Sequence, residues 1–314
     1  MYYLFAICAL LATEILYIQL AKSFRIVDLP TDRSSHKYAT VRGGGVIFPI
    51  ALFLPYYFGE INSSLVLVVL LVAAISFLDD MFSLSQLPRA VAQIAGTLYL
   101  FYDLEVLYLE WYYVLICAVL FFGWINAYNF MDGINGISVL YCLVALISFS
   151  VIEANYIYHE TFAILGLACL VFSFFNLRQK AVAFLGDVGS ISLAIILGYF
   201  MLHTIVATDN IYYLLFFAIY GVDAIITIFI RLLKRENILK PHRSHLYQQL
   251  ANEHGKSHIR VSVCYALAQL SLNFLLIYGI GMANMSAILF TLVLCTIFFF
   301  YILARINYRI KTVS

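Results

Sequence analysis

Apolar residues along the chain do not alternate or recur on one helical face. They come in unbroken blocks, each about as long as the roughly 20 helical residues needed to cross a bilayer. Eleven such segments are predicted helical: 2–22, 44–59, 64–80, 89–102, 111–128, 136–153, 160–176, 189–206, 211–233, 259–281 and 284–306. The second and fourth are short and flanked by proline. The expectation is an all-α, polytopic membrane bundle forming one domain over residues 1–314. The first segment has no basic lead-in and no small-residue cleavage site, so it is expected to stay as a helix and not to be removed as a signal peptide.

Composition agrees with this reading, since 64% of the 314 residues are hydrophobic and 11% are charged. The net charge of +1 supplies no basic field for nucleic acid. All six cysteines fall inside apolar segments without a CxxC pair, so neither disulfides nor a zinc site is expected.

Charge distribution sets the sidedness. Every one of the 18 Lys and Arg residues falls in or beside an odd-numbered connection or the C-terminal tail. The other connections hold only acids: Glu60, Asp103, Glu105, Glu110, Glu153, Glu160 and Asp209. The positive-inside rule then puts the N-terminus outside and the C-terminus in the cytoplasm.

The unusual polar groups lie on that same predicted cytoplasmic face. Asp79 and Asp80 end the third helix with no basic residue nearby in sequence. In 126-NAYNFMDGING-136, Asn126, Asn129 and Asp132 are spaced three apart, on one drifting face of a helix. Asp187 stands between glycines in 184-FLGDVGS-190. His242 and His245 are read on one helical face of 241-PHRSHLYQQL-250, with Arg243 beside them. The first inner loop adds 28-DLPTDRSSHKYATVRGGG-45. Carboxylates and amides suit a hard cation such as Mg²⁺, which shares substrate phosphates. Arg, Lys and backbone N–H groups suit phosphate oxygens. The pattern points to a Mg²⁺-dependent site for a phosphorylated substrate at the depth of lipid headgroups.

In this order, the five motifs resemble the polyprenyl-phosphate N-acetylhexosamine-1-phosphate transferases of the glycosyltransferase family 4 type, over roughly residues 20 to 260. The PHRSHLYQ form is closest to the O-antigen-priming branch. The resemblance implies transfer of an N-acetylhexosamine-1-phosphate from a UDP-sugar to undecaprenyl phosphate, with release of UMP, at the bacterial inner membrane. It implies Mg²⁺ or Mn²⁺ as cofactor. By this resemblance Asp79 orients or deprotonates the lipid phosphate and Asp80 supports the metal or phosphate region. Asp187 is the principal metal ligand, joined by Asn129, and Asp132 serves the nucleotide end near Asn126. Asn176 and Phe184 hold the uracil, and His242, Arg243 and His245 hold the pyrophosphate and sugar. Lys37, Arg33 and Arg42 are phosphate contacts that positive-inside charge explains equally well.

Rival readings are an intramembrane prenyl transferase, a CDP-alcohol transferase and a transporter. The chain has DDMFS where prenyltransferases carry DDxxD repeats, and its acids spread over the third, fifth and eighth segments instead of two neighbouring ones. A transporter would place its polar residues near the midplane. A homodimer is compatible with the sequence, because lipid-facing and partner-facing helix surfaces look alike.

Overall fold

The computed structural model describes residues 2–30, 35, 38–82, 85–237 and 242–308. Thirteen α-helices are found among them: α1 (Tyr2–Ser23), α2 (Ile47–Ala51), α3 (Phe53–Tyr57), α4 (Ser63–Phe82), α5 (Gln86–Asp103), α6 (Trp111–Met131), α7 (Ile137–Ser150), α8 (His159–Asn176), α9 (Gly186–Thr208), α10 (Ala218–Leu233), α11 (Leu246–Gln248), α12 (His258–Phe274) and α13 (Ala287–Asn307). All eleven predicted segments contain helix. The second is broken, with a 3₁₀ turn at Gly44–Val46 leading into α2 and α3. Pro49 and Pro55 lie in those two short helices, and each removes a backbone donor.

Eight helical segments of the described residues are long and apolar enough to cross a membrane. The 44–57 and 137–150 stretches are apolar but shorter. α5 is amphipathic, and its Gln93 is buried in the bundle. The protein is thus an all-α polytopic membrane protein.

α9 is the axis of the fold. From Val188 to Leu202 each of its residues is buried, and α4, α6, α7 and the Gly44–Val46 turn pack around it. Glycine makes the closest of these contacts. A Cβ on Gly45 would lie 2.2 Å from the Cα of Gly189, so the turn and helix touch backbone to backbone. Gly198 takes the edge of Phe121 from α6 in the same way.

A small sheet ties the first inner loop to the start of α9. Strands β1 (Val27–Asp28) and β2 (Thr40–Val41) pair antiparallel. Val41 also bridges Ala183 in parallel, and the Gly44 and Gly45 amides donate to the carbonyls of Phe184 and Leu185. Arg42 therefore reaches the bundle beside residues 186–187.

The two ends of the bundle differ as the charge pattern suggested. At one end Thr161 donates to Glu60, Tyr3 to Glu160, and Asn62 and Tyr199 to Asp103. The aspartates of α4 and α9 meet at the other.

Gly45→Ala is expected to lower the melting temperature of the detergent-solubilised protein, by an overpacking cost of about 1–3 kcal/mol. Gly166→Ala, at a glycine without a positive φ and with nothing within 4 Å of the added methyl, is the control; equal losses in the two variants would refute the contact argument.

Candidate active site

α4 ends in two adjacent carboxylates, and the fold answers their repulsion with arginines brought from elsewhere. Arg42 Nε lies 2.8 Å from Asp80 Oδ1. A single nitrogen of Arg89 lies 2.6 Å from Asp79 Oδ2 and 2.9 Å from Asp187 Oδ2. Arg42 also approaches Asp187 at 3.9 Å. Three carboxylates and two guanidiniums thus alternate in one cluster.

Within it, Asp80 has a structural task. Its side chain is 0% exposed and accepts the backbone N–H groups of Asp187 (3.1 Å) and Val188 (3.2 Å). These are first-turn amides of α9, which have no partner inside the helix, and a carboxylate there also meets the positive end of the helix dipole. Gly186 makes the approach possible. Its φ is +72°, and a Cβ would fall 2.6 Å from Asp80 Oδ2 and 2.8 Å from the backbone of Gly43.

Asp187 opens onto a cavity of about 640 Å³, whose walls include Arg42, Asn129, Asp132, Asn176, Phe184, His242 and Arg243. Asn129 and Asp132 come from the end of α6, where Ser138 Oγ donates to Asp132 at 2.8 Å. Burial pushes the Asp132 carboxyl up to about 7; the Ser138 hydrogen bond opposes this, and the nearby Asp187 and Asp80 charges add to it.

Other predicted residues sit differently. Asn126 is not in the cavity wall, and its amide donates to the Phe122 carbonyl on its own helix. Each three-residue step turns a helix by about 300°, so two steps carry Asn126 away from Asp132 by about 120°. Asn176 lies in the wall, but both ends of its amide are engaged: the oxygen accepts from Gly136 N (2.6 Å) and the nitrogen donates to Ala183 O (2.9 Å). It joins the glycine turn after α6 to the segment before α9. His242 and His245 do not share a helical face, because the chain is irregular until α11 begins at Leu246. His242 lines the cavity, with its Nδ1 2.9 Å from an Arg231 nitrogen. His245 is 1% exposed and outside the cavity wall, and its Nδ1 lies 3.0 Å from Asp223 Oδ1. Lys37 and Arg33 lie outside the described residues.

The two acids buried within helices have different surroundings. Asp223 accepts from Leu246 N, Thr227, Tyr265 and Tyr301 and meets His245. Both oxygens of Glu14 are buried without a hydrogen-bond partner, facing Gly44.

Parts of the chain are similar to known proteins. The profile of glycosyl transferase family 4 matches residues 62–205, which span α4 to most of α9, and over these residues the chain is similar to that family. It is similar to the phospho-N-acetylmuramoyl-pentapeptide-transferase of Streptococcus equi subsp. zooepidemicus (strain MGCS10565), with 27% identity over 62% of this chain and 68% of that protein. The protein of the same name from Thermotoga petrophila is 28% identical over 60% of this chain and 67% of its own length. That of Streptococcus agalactiae serotype Ia is 29% identical over 49% and 56%.

Does this site suit a divalent cation? Among the described residues no three His, Cys, Asp or Glu side chains cluster as a metal cage. Mg²⁺ needs no such cage, since it is commonly held by one or two carboxylates and completed by substrate phosphates and water. Asp187, Asn129 and Asp132 present hard oxygens to one cavity. The Arg89 guanidinium lies between Asp79 and Asp187, so positive charge is favourable at that point. The donor set fits a metal shared with substrate.

Arg89 is the residue that sequence reasoning passed over. It is the only Lys or Arg between Arg42 and Arg178, and positive-inside charge had accounted for it. Asn135, Gln248 and His258 also line the cavity and carried no signal beyond proximity to the motifs.

Arg89→Gln is expected to lower the metal-free melting temperature by a few degrees, because Asp79 and Asp187 lose their shared counter-ion. Added Mg²⁺ should raise the melting point of the variant more than that of the parent; equal shifts would separate Arg89 from the cation's place.

A second expectation concerns pH. The folded protein holds the Asp132 proton more tightly than the unfolded chain does, so this group's contribution to stability falls as pH rises from the ordinary carboxylate range to about 7. Melting followed from pH 5 to 8 should fall less in Asp132→Asn, whose amide oxygen still accepts from Ser138.

Proposed function

We propose that this protein transfers an N-acetylhexosamine-1-phosphate from a UDP-sugar to undecaprenyl phosphate, releasing UMP, at the cytoplasmic face of the bacterial inner membrane. The observation that carries the reading is a single cavity at one end of the bundle, lined together by Asp187, Asn129, Asp132, Arg42, His242 and Arg243 from separate motifs. The relatives are named for transfer of phospho-N-acetylmuramoyl-pentapeptide, which supports a transfer of this class at the cavity.

Phosphoryl transfer needs mainly alignment and charge neutralisation. An oxygen of the lipid phosphate attacks the β-phosphorus of the UDP-sugar. The bond from that phosphorus to the bridging oxygen breaks, and the electron pair leaves with UMP. Arg42, Arg89, His242 and Arg243 supply positive and donor groups for the diphosphate. Asp79, held by Arg89, orients the attacking phosphate. That group's second pKa is near 6, so little proton removal is asked of Asp79. Asp80 keeps the first turn of α9 in place and thereby aims Asp187. A divalent cation held by Asp187 and Asn129, when bound, supplies further neutralisation of diphosphate charge. Phe184 offers an aromatic face to the base, and Asp132 an acceptor to the nucleotide end.

The sugar is proposed to lack a peptide, as in priming of O-antigen and related envelope polysaccharides; this part rests on the PHRSHLYQ form alone. The transporter reading is disfavoured by the placement of these groups at one end of the bundle, away from the middle of the helices.

The test is UMP release by purified protein given undecaprenyl phosphate and a panel of UDP-N-acetylhexosamines, including UDP-N-acetylmuramoyl-pentapeptide. Release should need both lipid and Mg²⁺, fall by roughly 10²-fold or more in Asp187→Ala, and run backward when UMP and lipid product are supplied. Release without lipid acceptor, or no reversal by UMP, would refute the chemistry. Turnover of the pentapeptide substrate alone would keep the chemistry and overturn the choice of sugar.

A further inference from the structure

α13 is the most peripheral helix of the bundle, with none of its residues buried. Two of its polar side chains nevertheless reach inward. Tyr301 donates to Asp223 Oδ1 at 3.0 Å. One Arg305 nitrogen donates to Tyr301 (2.8 Å) and Thr227 (3.0 Å), and the other donates to the carbonyl of Ser244 (2.7 Å). Ser244 follows His242 and Arg243, which line the cavity, and precedes His245.

The same loop is gripped from beneath. Asp223, 0% exposed, meets His245 Nδ1 at 3.0 Å and accepts Leu246 N at 3.3 Å and Tyr265 OH at 2.6 Å. Described residues 242–245 are neither helix nor strand. Their position depends on side-chain bonds: those above, Arg231 to His242 (2.9 Å), and Gln248 and Gln249 to His245 N (3.3 Å) and Ser244 O (3.4 Å). The Arg305 fork closes the network, since it touches the loop carbonyl and both polar partners of the α10–α13 contact.

We infer that Arg305 and Tyr301 are positioning residues for the nucleotide-sugar side of the site: through Ser244 and Asp223 they hold the loop that carries His242 and Arg243. The inference rests on the transferase reading for its kinetic consequence, but not for its structural one. On the lipid-phosphate side, among the described residues, Arg89 bonds to Asp79 and Asp187; that side is expected to be left unchanged.

The experiment uses the full chain in detergent with Arg305→Gln, Arg305→Lys and Tyr301→Phe. Hydrogen exchange of the amides at 244–248 is compared with that of the first turn of α9. KM for the nucleotide sugar and for undecaprenyl phosphate, kcat and the melting temperature are measured alongside. Loss of a charge-assisted hydrogen bond corresponds to roughly tenfold in an equilibrium. Arg305→Gln should speed exchange at 244–248 and raise the nucleotide-sugar KM by about that factor, leaving the lipid KM, kcat and melting temperature near parental values. Arg305→Lys keeps the charge but not the fork and should recover part of the loss. Tyr301→Phe should shift both readouts in the same direction by less. Unchanged exchange at 244–248 overturns the inference. So does a joint rise in both KM values with a lower melting point, which would mark a general structural role. Should even the parent protein fail to turn over any sugar nucleotide, the transferase reading fails, and exchange alone still decides whether α13 holds the loop.

Discussion

The site depends on one buried carboxylate. Asp80 accepts the first-turn amides of α9 and meets the Arg42 guanidinium. Burying a charge is costly unless its hydrogen-bonding capacity is filled. Here two backbone donors and an arginine fill it. Because α9 is the axis around which α4, α6 and α7 pack, the position of its first turn decides where Asp187 points. The approach also requires the absence of side chains at Gly186, Gly43 and Gly45, where added methyl groups would meet backbone, a tyrosine hydroxyl or Asp80 itself. The glycines and the aspartate belong to one contact.

The second aspartate of the pair is left for another role. Asp79 shares Arg89 with Asp187, so the visible part of the cluster holds three carboxylates against two guanidiniums. That balance leaves a local excess of negative charge beside basic groups on the cavity wall. A cation and a diphosphate arriving together neutralise each other and suit such a surface better than either alone. Alternating charges also keep each aspartate next to a cation, so the adjacent pair at the end of α4 is tolerated in the absence of ligand.

Asp223 solves the same problem on the other side of the cavity with different donors. Tyrosine and threonine hydroxyls, a histidine and a backbone amide surround it, and they come from α10, α12, α13 and the loop before α11. The two buried carboxylates therefore anchor different segments that carry lining residues, one a helix start and one an irregular loop.

Much of this was legible in the sequence. Apolar block length located the long helices, because lipid leaves the backbone no partner but itself; the short α11 at Leu246–Gln248 lies outside every apolar block. Charge placement separated the two ends, and the order of the polar motifs indicated which end carries the chemistry. The broken helix at 44–57 was foreshadowed by its prolines. What the sequence could not tell was which polar atoms are already spent. Asn176 looks like a ligand-binding residue in a motif, yet both ends of its amide bond to the turn at Gly136 and the Ala183 carbonyl, and one of the two ring nitrogens of His245 is engaged by Asp223. Asn126 drifts off the cavity by helix geometry. Arg89 looks like an ordinary inner-face charge until the fold sets it between Asp79 and Asp187. Helix formation follows from local composition against lipid and water, so the sequence determined it by itself. Partner choice among polar groups depends on atoms far apart in the chain meeting within 3 Å, and only the packing around α9 decided that.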